Sequence, residues 1–583
     1  MMILCIASYL ASFVALMAPP TTTGNGPVHD QLHVQQAIRI GGAGDDRLEG
    51  VVVAENGEIY IVGSLGDDSP LTGVPTLVFK GRSTSSEHFT IGFVARLDRD
   101  GKLLSAARMP LGVGELNSVA IDRAGNVLVG GYATSALEPA MTSLPGLLRT
   151  FPSERMTVQT HTPREHTELK NLQPDRSPQA APVVLKLNAE LSGLLAATYL
   201  DGRKTVWHVP APLDEDMSQP TGIVPLPDGD VLVCHDGGPI VPPAPGEKPT
   251  HFHFYFAEDR VSRLSTNLDA RRWRVELRSP PIDPARASKT LGAPWRHDTM
   301  GNARTLRFRS DGADGAYLAG FAPSRTSAEP WWAPFLFRVD GRGKLSVAAY
   351  TFDPTSGKDA RLNGLVSDSG IRSVRVSADG SVLLTTIGDG GNSVLRRDPR
   401  DYTRETSRLK GSAHGFRGRT LFWGTVVRLD GKSMELLNGN TLIGYHRNIP
   451  EPAWAEDIVD LPDGSVLAVG RHRRGFGLRD AGEPFFLNSR RVPEVDANAP
   501  APARYQVQRD SWGGFVAVFD RDMNARFIGS VDGACFRECA RRGERVAVVG
   551  TAEQGRGEAS GTRRIGPGGK TDGLILLLGA ATP

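Results

Sequence analysis

The chain of 583 residues places several carboxylates where they could do chemistry together. Asp46 and Asp532 occupy equivalent positions in two connectors that precede repeated strands, and Glu456 and Asp457 lie close to that position in a third repeat. Two carboxyl groups about 5–9.5 Å apart can cleave a glycosidic bond, one acting as an acid and the other as a base or nucleophile. One hypothesis is therefore a glycan-acting hydrolase or lyase, with these acids around a central channel.

Arginine is concentrated in two insertions, "RRDPRDYTRETSRLKGSAHGFRGR" (396–419) and the segment that begins "RHRRGFGLRD" at residue 471. The first has eight basic residues against three acidic ones. Guanidinium groups bind carboxylate, sulfate or phosphate through paired N–H donors, so an anionic glycan, an envelope polymer or a protein would suit them. The candidate ligand-binding arginines are Arg396, Arg397, Arg400, Arg404, Arg408, Arg471, Arg473 and Arg474. A solvated loop with internal Arg–Asp pairs is the competing interpretation.

Trp331 and Trp332 in "PWW" add a second type of candidate contact. Paired indole rings can stack on sugar rings, or they can fill a seam between structural units. Both alternatives stay open from the sequence.

No metal, cofactor or catalytic nucleophile is predicted. "HFHFYF" (251–256) supplies two histidines but no third ligand nearby, and "HTPREHTE" (161–168) lacks the His-Glu-x-x-His spacing. The sequence contains no G-x-S-x-G elbow, no phosphate-binding loop and no dinucleotide fingerprint. "CFREC" (535–539) lies in a predicted strand, where i and i+4 are about 13 Å apart, so we expect two buried thiols rather than a disulfide.

The charge balance and the hydropathy of the sequence limit which partners the protein could bind and where in the cell it could be located. The 67 basic residues nearly balance the 65 acidic ones, which argues against nucleic acid as a partner. Residues 1–18 form an apolar run that is interpreted as a signal peptide, followed by a linker over 19–35. No other stretch is long and apolar enough to span a bilayer. The sequence predicts an extracytoplasmic protein (secreted, periplasmic or at the cell surface) that is monomeric.

The elements that would position these residues are repeated strands. "GFVARLDRDGKLLSAARMPLG" (92–112) and "LNSVAIDRAGNVLVGGYATS" (116–135) contain four short apolar runs, with tight Asp/Gly turns of the hairpin type. We name the runs a, b, c and d. The a–turn–b signature recurs around seven glycines, in strict alternation with seven c-type strands; these glycines are Gly57, Gly125, Gly229, Gly315, Gly380, Gly464 and Gly543. The pattern predicts an all-β, seven-bladed propeller with four-stranded antiparallel blades over 36–583.

The two ends of the chain predict how this ring closes. The last c strand, "DGLILLL", is followed by no d strand, while an orphan "QAIRIGGAGDD" precedes the first a strand. We expect Gln36–Ile40 to pair with Leu574–Leu578 and complete the seventh blade. Closure of this kind hides strand edges that would otherwise promote aggregation.

Residues 117–135, which end in "GGYATS", resemble the bacterial seven-bladed beta-propeller repeat (SBBP) family. Asp46, Gly50 and Gly63 match the first copy of its repeat, and "IGGAGDD" is similar to its connector. Blades 3, 4 and 7 depart from the pattern. The resemblance implies the propeller fold and frequent export, and it implies no catalytic residues, because the family shares none.

Long connections between strands b and c indicate which face could bind a partner. They occupy roughly 65–90, 132–181, 236–258, 388–423 and 471–512, and in a propeller they all leave from one face. Loops of this size in a compact domain are usually functional or disordered, with lineage-specific padding as the alternative. The favoured prediction is an exported, non-catalytic propeller that binds or scaffolds through its long-loop face.

Overall fold

The computed structural model describes 23 stretches of the chain, and the fold and the sites lie within these residues. They are 32–66, 71, 74–78, 80–81, 91–109, 115–133, 137–138, 181–200, 222–236, 259–277, 304–325, 330–350, 369–388, 397–405, 409–410, 423–442, 444–446, 449–451, 453–473, 485–486, 512–554, 562–569 and 571–580.

Every regular element in the described residues is a β-strand. The first half of the chain contributes β1 (Leu32–Ile40), β2 (Arg47–Val53), β3 (Ile59–Leu65), β4 (Thr76–Val78), β5 (Lys80–Gly81), β6 (Ile91–Leu97), β7 (Leu103–Arg108), β8 (Glu115–Ile121), β9 (Val127–Ala133), β10 (Leu137–Glu138), β11 (Ala181–Leu187), β12 (Leu194–Tyr199), β13 (Gly222–Pro225), β14 (Val231–Asp236), β15 (Asp259–Leu264) and β16 (Arg271–Glu276).

The second half contributes β17 (Arg304–Ser310), β18 (Ala316–Arg325), β19 (Pro330–Val339), β20 (Leu345–Ala349), β21 (Ser369–Val376), β22 (Val382–Gly388), β23 (Arg397–Asp398), β24 (Asp401–Glu405), β25 (Leu409–Lys410), β26 (Trp423–Leu429), β27 (Leu436–Leu442), β28 (Gly444–His446), β29 (Ile449–Glu451), β30 (Ala453–Asp460), β31 (Val466–Arg473), β32 (Phe485–Phe486), β33 (Trp512–Phe519), β34 (Ala525–Asp532), β35 (Ala534–Arg542), β36 (Arg545–Glu553), β37 (Arg563–Ile565) and β38 (Thr571–Ala580).

Twenty-eight of these strands form seven antiparallel blades of four, as the sequence predicts. In the order a–b–c–d the blades are β2-β3-β6-β7, β8-β9-β11-β12, β13-β14-β15-β16, β17-β18-β19-β20, β21-β22-β26-β27, β30-β31-β33-β34 and β35-β36-β38-β1. Strand a of each blade contacts strand a of both neighbouring blades, including β2 with β35 across the junction of first and last. The seven a strands therefore form a closed inner ring, and the fold is a seven-bladed propeller.

The N-terminal strand closes the ring in the predicted manner. In β1, Arg39 lies opposite Leu574 and Gln36 opposite Leu577 of β38, in antiparallel register. The strand begins at Leu32, so the predicted linker over 19–35 includes four residues that belong to the propeller. The Arg39 guanidinium donates to Asp572 at 2.9 Å, with both side chains about 1% exposed, so a buried ion pair joins the two chain ends.

The long b–c connections have a structural role that the sequence analysis missed. In four blades they contribute a short fifth strand that runs parallel to the outermost strand: β4 beside β7, β25 beside β27, β32 beside β34 and β37 beside β1. An outermost strand otherwise presents unpaired backbone groups to solvent. Part of these insertions therefore covers blade edges.

Apolar side chains pack in the seams between blades rather than in one central core. One buried cluster joins blades 1 and 7, and others join blades 1 and 2, 2 and 3, 3 to 5, 5 and 6, and 6 and 7. Each blade thus buries both faces against its neighbours, which is how a repeat fold exceeds the usual size of a single core.

The two faces of the ring differ in the length of their strand connections. The a–b turns and c–d turns are tight, as at Gly125, whose φ of 83° suits the glycine there. We call the face that carries them the tight-turn face. The b–c and d–a connections begin and end on the opposite side, which we call the long-loop face. In blade 4 the b–c connection is short, since only 326–329 separate β18 from β19.

Five blades repeat one ion pair at the tight-turn face. A basic residue next to the end of strand c contacts an acid of the a–b turn in the same blade. The pairs are Arg96–Glu58, Lys186–Asp122, Arg263–Asp228, Arg338–Asp311 and Arg428–Asp379. The basic partner is the next-to-last residue of strand c in each of these blades, as in "VARLD" and "VVRLD", so the sequence carries half of this signal. The position of the acid within the a–b turn varies.

Candidate functional site

The inner ring brings together charged residues of strand a from four blades. In six of the seven blades a one-residue β-bulge interrupts the a–b pairing near the start of strand a. Such a bulge changes the direction of the side chains that follow it. We call five charged residues at or after the bulges of blades 4 to 7 the channel cluster: Arg307, Arg309, Arg375, Asp457 and Glu538. Ion pairs link the last four, and Arg307 donates to the backbone of Arg537, next to Glu538.

Two contacts of the channel cluster cross the centre of the ring. Arg309 of β17 donates through Nη2 to Glu538 Oε1 of β35, and the two residues are 229 positions apart. Arg307 Nη2 donates to the backbone oxygen of Arg537 at 2.7 Å. Blades 4 and 7 are not neighbours, so these side chains reach across the space that the a strands enclose. The channel cluster therefore lies on the axis of the propeller.

Asp457 lies at the buried end of the same cluster. Its Oδ2 accepts from Arg375 Nη2 at 2.8 Å and from the backbone N–H of Cys539 at 3.0 Å, while Ser373 Oγ donates to Oδ1. Arg375 Nη2 also lies 3.5 Å from Glu538 Oε1 and 2.9 Å from the Cys539 oxygen. Arg375 thus bridges both carboxylates.

Burial and charge act in opposite directions on these groups. Burial opposes ionisation of Asp457, but Arg375, Arg309 and Arg307 outweigh it and hold the pKa of that carboxyl well below its usual range. Burial, with the Asp457 charge, raises the pKa of Glu538 even though Arg309 and Arg307 pull it down. Burial lowers the pKa of Arg309 to about 10, so it stays protonated at neutral pH.

A second buried cluster lies one residue closer to the long-loop face. Glu456 Oε2 accepts from Arg372 Nε at 2.9 Å and from its Nη2 at 2.5 Å, and Glu456 Oε1 accepts from Trp454 Nε1 at 2.8 Å. The Arg471 guanidinium stacks 4.6 Å above the centre of the Trp454 ring, with its Nε 3.4 Å from Glu456. Glu456 is thus enclosed by two arginines and an indole.

The four predicted channel acids do not lie together in the structure but in three different parts of the propeller. Glu456 and Asp457 reach the inner ring, and arginine engages each of them. Asp46 accepts from the Gly66 N–H at 2.9 Å, and a Cβ added to Gly41 would meet both Asp46 and Asp572, which places Asp46 at the ring closure. Asp532 ends β34, and its side chain lies outside the described residues.

Only part of the predicted arginine surface falls within the described residues. Arg400 contacts Asp398 through Nε at 3.1 Å and Nη2 at 3.0 Å, which is the internal pairing of the competing interpretation. Arg471 is 7% exposed and contacts Glu456, so it faces the interior rather than the long-loop surface. Arg396, Arg408 and Arg474 lie outside the described residues, as do the side chains of Arg397, Arg404, Arg473, Trp331 and Trp332.

Sequence reasoning missed four of the five residues of the channel cluster, Arg307, Arg309, Arg375 and Glu538. The signal for the three arginines is a guanidinium side chain in strand a, at Arg307 and Arg309 in "LRFRS" and at Arg375 in "SVRVS". The signal for Glu538 is the acid within "CFREC".

The cysteines of β35 match the prediction of free thiols and, for Cys539 alone, that of a buried one. Cys535 and Cys539 lie in β35 and are free, Cys539 being buried and Cys535 half-buried. Burial raises the pKa of both thiols, which disfavours the reactive thiolate.

Within the described residues, no group of three His, Cys, Asp or Glu side chains is arranged to hold a metal ion. A search of the same residues for an apolar helix long enough to cross a bilayer found none.

Comparisons with known proteins add little to this geometry. No protein-family model matches the chain, and no curated protein matches it. Among solved structures, an ulvan lyase of polysaccharide lyase family PL25 is 9% identical, with 88% of this chain and 93% of that one covered and a TM-score of 0.39. The β-propeller domain of the Trilobed protease from Pyrococcus furiosus is 8% identical, with 90% and 92% covered and a TM-score of 0.31. At these values the likeness carries no argument about function.

Proposed function

We propose that the protein is an exported, non-catalytic β-propeller of the SBBP type that binds or scaffolds an extracytoplasmic partner through its long-loop face. The observation that carries the proposal is the state of the acids on the inner ring. Glu456 and Asp457, which a channel enzyme would use, are each held by arginines.

Acid–base catalysis needs a carboxyl group that exchanges its proton near the working pH. Asp457 is fully buried, and its neighbouring arginines keep its pKa low, so it remains an anion bonded to Arg375, Ser373 and the Cys539 N–H. Glu456 is 3% exposed and bonded to Arg372 and Trp454. Both carboxylates are thus engaged by buried donors, and Glu538, whose pKa burial raises, is paired with Arg309. This pairing of the inner acids argues against the hydrolase or lyase alternative.

The long-loop face supports the binding hypothesis by its composition. The fifth b–c connection carries the excess of arginine and leaves the ring on this face. Its hairpin β23–β24 is anchored to the propeller, since the Tyr350 backbone N–H donates to the Pro399 oxygen at 2.8 Å. An anionic glycan, an envelope polymer or an acidic protein surface would find its donors there.

A binding experiment tests the proposal directly. We expect the exported protein to retain an anionic glycan or envelope fraction on an array or in a pulldown. Replacing Arg397→Gln and Arg404→Gln should weaken that retention. Arg521→Gln, on the tight-turn face, removes the same charge per substitution and should leave it unchanged.

A turnover assay on the same polymers tests the alternative. Cleavage of a glycan that disappears in both Asp457→Asn and Glu456→Gln, with no retention of any partner, would overturn the proposal. Export is tested separately, by sequencing the N-terminus of the protein recovered outside the cytoplasm. A chain that keeps residues 1–18 and stays inside the cell would remove the extracytoplasmic part of the proposal.

A further inference from the structure

We propose that the channel cluster is itself a binding site for one small anion, an inorganic oxyanion or the carboxylate or sulfate of a sugar. This site differs from the long-loop surface, and the inference does not depend on the function proposed above.

The first argument is the balance of charge. The channel cluster contains the guanidinium groups of Arg307, Arg309 and Arg375. In the described residues, Arg309 and Arg375 pair with two carboxylates, those of Asp457 and Glu538, while Arg307 donates to the Arg537 backbone oxygen. An excess of positive charge inside a protein is costly unless an anion compensates it. One bound anion would balance the three arginines.

The second argument is the number of donors. Three guanidinium groups carry about fifteen N–H bonds. In the described residues, five oxygen atoms accept from them: one each of Arg537, Phe308, Glu538, Asp457 and Cys539. The Nε atoms of Arg307, Arg309 and Arg375 are all buried without an acceptor in the described part of the chain. Buried donors are normally satisfied. Arg428 Nε also lacks an acceptor among the described residues, so what distinguishes the channel cluster is that three such donors belong to one group of neighbouring charges.

The third argument is access. Arg309 and Arg375 lie inside the ring of a strands, yet their side chains retain 17% and 24% exposure. Exposure on the axis of a ring comes from open space within the ring. A small anion could therefore reach the Nη groups, whereas a folded polypeptide could not. The chemistry fits phosphate or sulfate, and equally the acidic group at the end of a sugar chain.

The experiment is a titration of the full chain at constant ionic strength. Phosphate, sulfate and glucuronate are added in turn, with chloride as the matched salt, and binding is followed by calorimetry and by the rise in Tm. We expect saturable binding of at least one anion beyond the effect of chloride. Phosphate or sulfate binding indicates a free oxyanion as the ligand, and selective glucuronate binding indicates a sugar acid.

Two substitutions with opposite expected effects on anion affinity test whether the channel cluster is the site. Arg307→Gln removes a donor and a charge, and should weaken binding about tenfold or more. Glu538→Gln removes the competing carboxylate, and should strengthen binding several-fold. Arg521→Gln, an exposed arginine of the c–d turn in blade 6, should change nothing.

A purely structural network predicts a different outcome. Arg307→Gln and Glu538→Gln would then alter Tm without altering the dependence of Tm on anion concentration. Equal shifts for chloride and for every oxyanion, or the same affinity in Glu538→Gln as in the unchanged protein, would overturn the inference. If Arg307→Gln does not fold, the sign of the Glu538→Gln effect still decides the matter.

Discussion

Arg309 of blade 4 donates a hydrogen bond to Glu538 of blade 7, across the axis of the propeller and 229 residues along the chain. Most contacts between blades join neighbours, as in other repeat proteins. The Arg309–Glu538 contact, together with Arg307–Arg537 and Arg375–Cys539, ties blades that share no seam. It makes the inner ring a network in which four blades depend on one set of charges.

Loss of Arg309 should therefore destabilise the protein well beyond a surface substitution. Arg309→Ala leaves Glu538, whose side chain is 8% exposed, without its main counter-charge. Breaking one side of a buried ion pair costs about 3–5 kcal/mol. Denaturant unfolding measures the change, with Arg521→Ala as a control below about 0.5 kcal/mol. A double replacement, Arg309→Met with Glu538→Leu, should recover most of the loss, and a cost equal to that of Arg309→Ala would refute this explanation.

The low pKa of Asp457 predicts acid sensitivity. An unfolded aspartate takes up a proton near pH 3.9, while the folded carboxyl resists protonation because Arg375, Arg309 and Arg307 surround it. Its stabilising contribution is thus complete above about pH 5 and is lost as the pH falls toward the folded pKa. Asp457→Asn should be less stable at pH 7 and should lose less stability on acidification. Parallel unfolding curves between pH 3 and pH 7 would contradict this.

The ion pair at the ring closure predicts a second large effect. Arg39 and Asp572 are each about 1% exposed, and Arg39 Nη2 also donates to the Glu553 oxygen at 2.8 Å. We expect Arg39→Ala to cost about 3–5 kcal/mol and to promote aggregation, because it loosens the strand that covers β38. Urea unfolding and light scattering measure both effects. Arg564, which contacts the same carboxylate but is 33% exposed, is the control, and Arg564→Ala should cost clearly less.

In the c–d turn of blade 3, we expect a glycine substitution to be less destabilising than an alanine substitution, which is the reverse of the usual order. Leu268 has a φ of 57°, a left-handed conformation, and is 1% exposed. Leu268→Ala loses the packing, about 2–5 kcal/mol, and keeps the backbone strain. Leu268→Gly loses the same packing but relieves about 1 kcal/mol of strain. The glycine variant should therefore be the more stable of the two in thermal unfolding. Leu264, in the strand before the turn, is the control: there Leu264→Ala should be more stable than Leu264→Gly.

The blades were predictable from the sequence because their determinants are local. Alternating apolar residues form each strand, and an Asp/Gly turn a few residues later determines where the chain reverses. The closing strand was predictable for the same reason, since "QAIRI" supplies the missing member of a pattern repeated seven times. Glu456 and Asp457 lie in β30 on the inner ring, and their role as channel acids of an enzyme stays a prediction.

The partners of those acids required the tertiary structure. A bulge at Arg537 separates Phe536 from Glu538 and shifts the inward alternation by one residue, which a pattern of period two does not reveal. The contacts that define the channel cluster join residues 82 to 230 positions apart, and no local signal encodes which blades face one another across the ring. The sequence by itself determined seven blades and their closure, because both follow from repeated local patterns. Only the closed ring decided which charges meet at its centre, because their distance depends on how all seven blades pack.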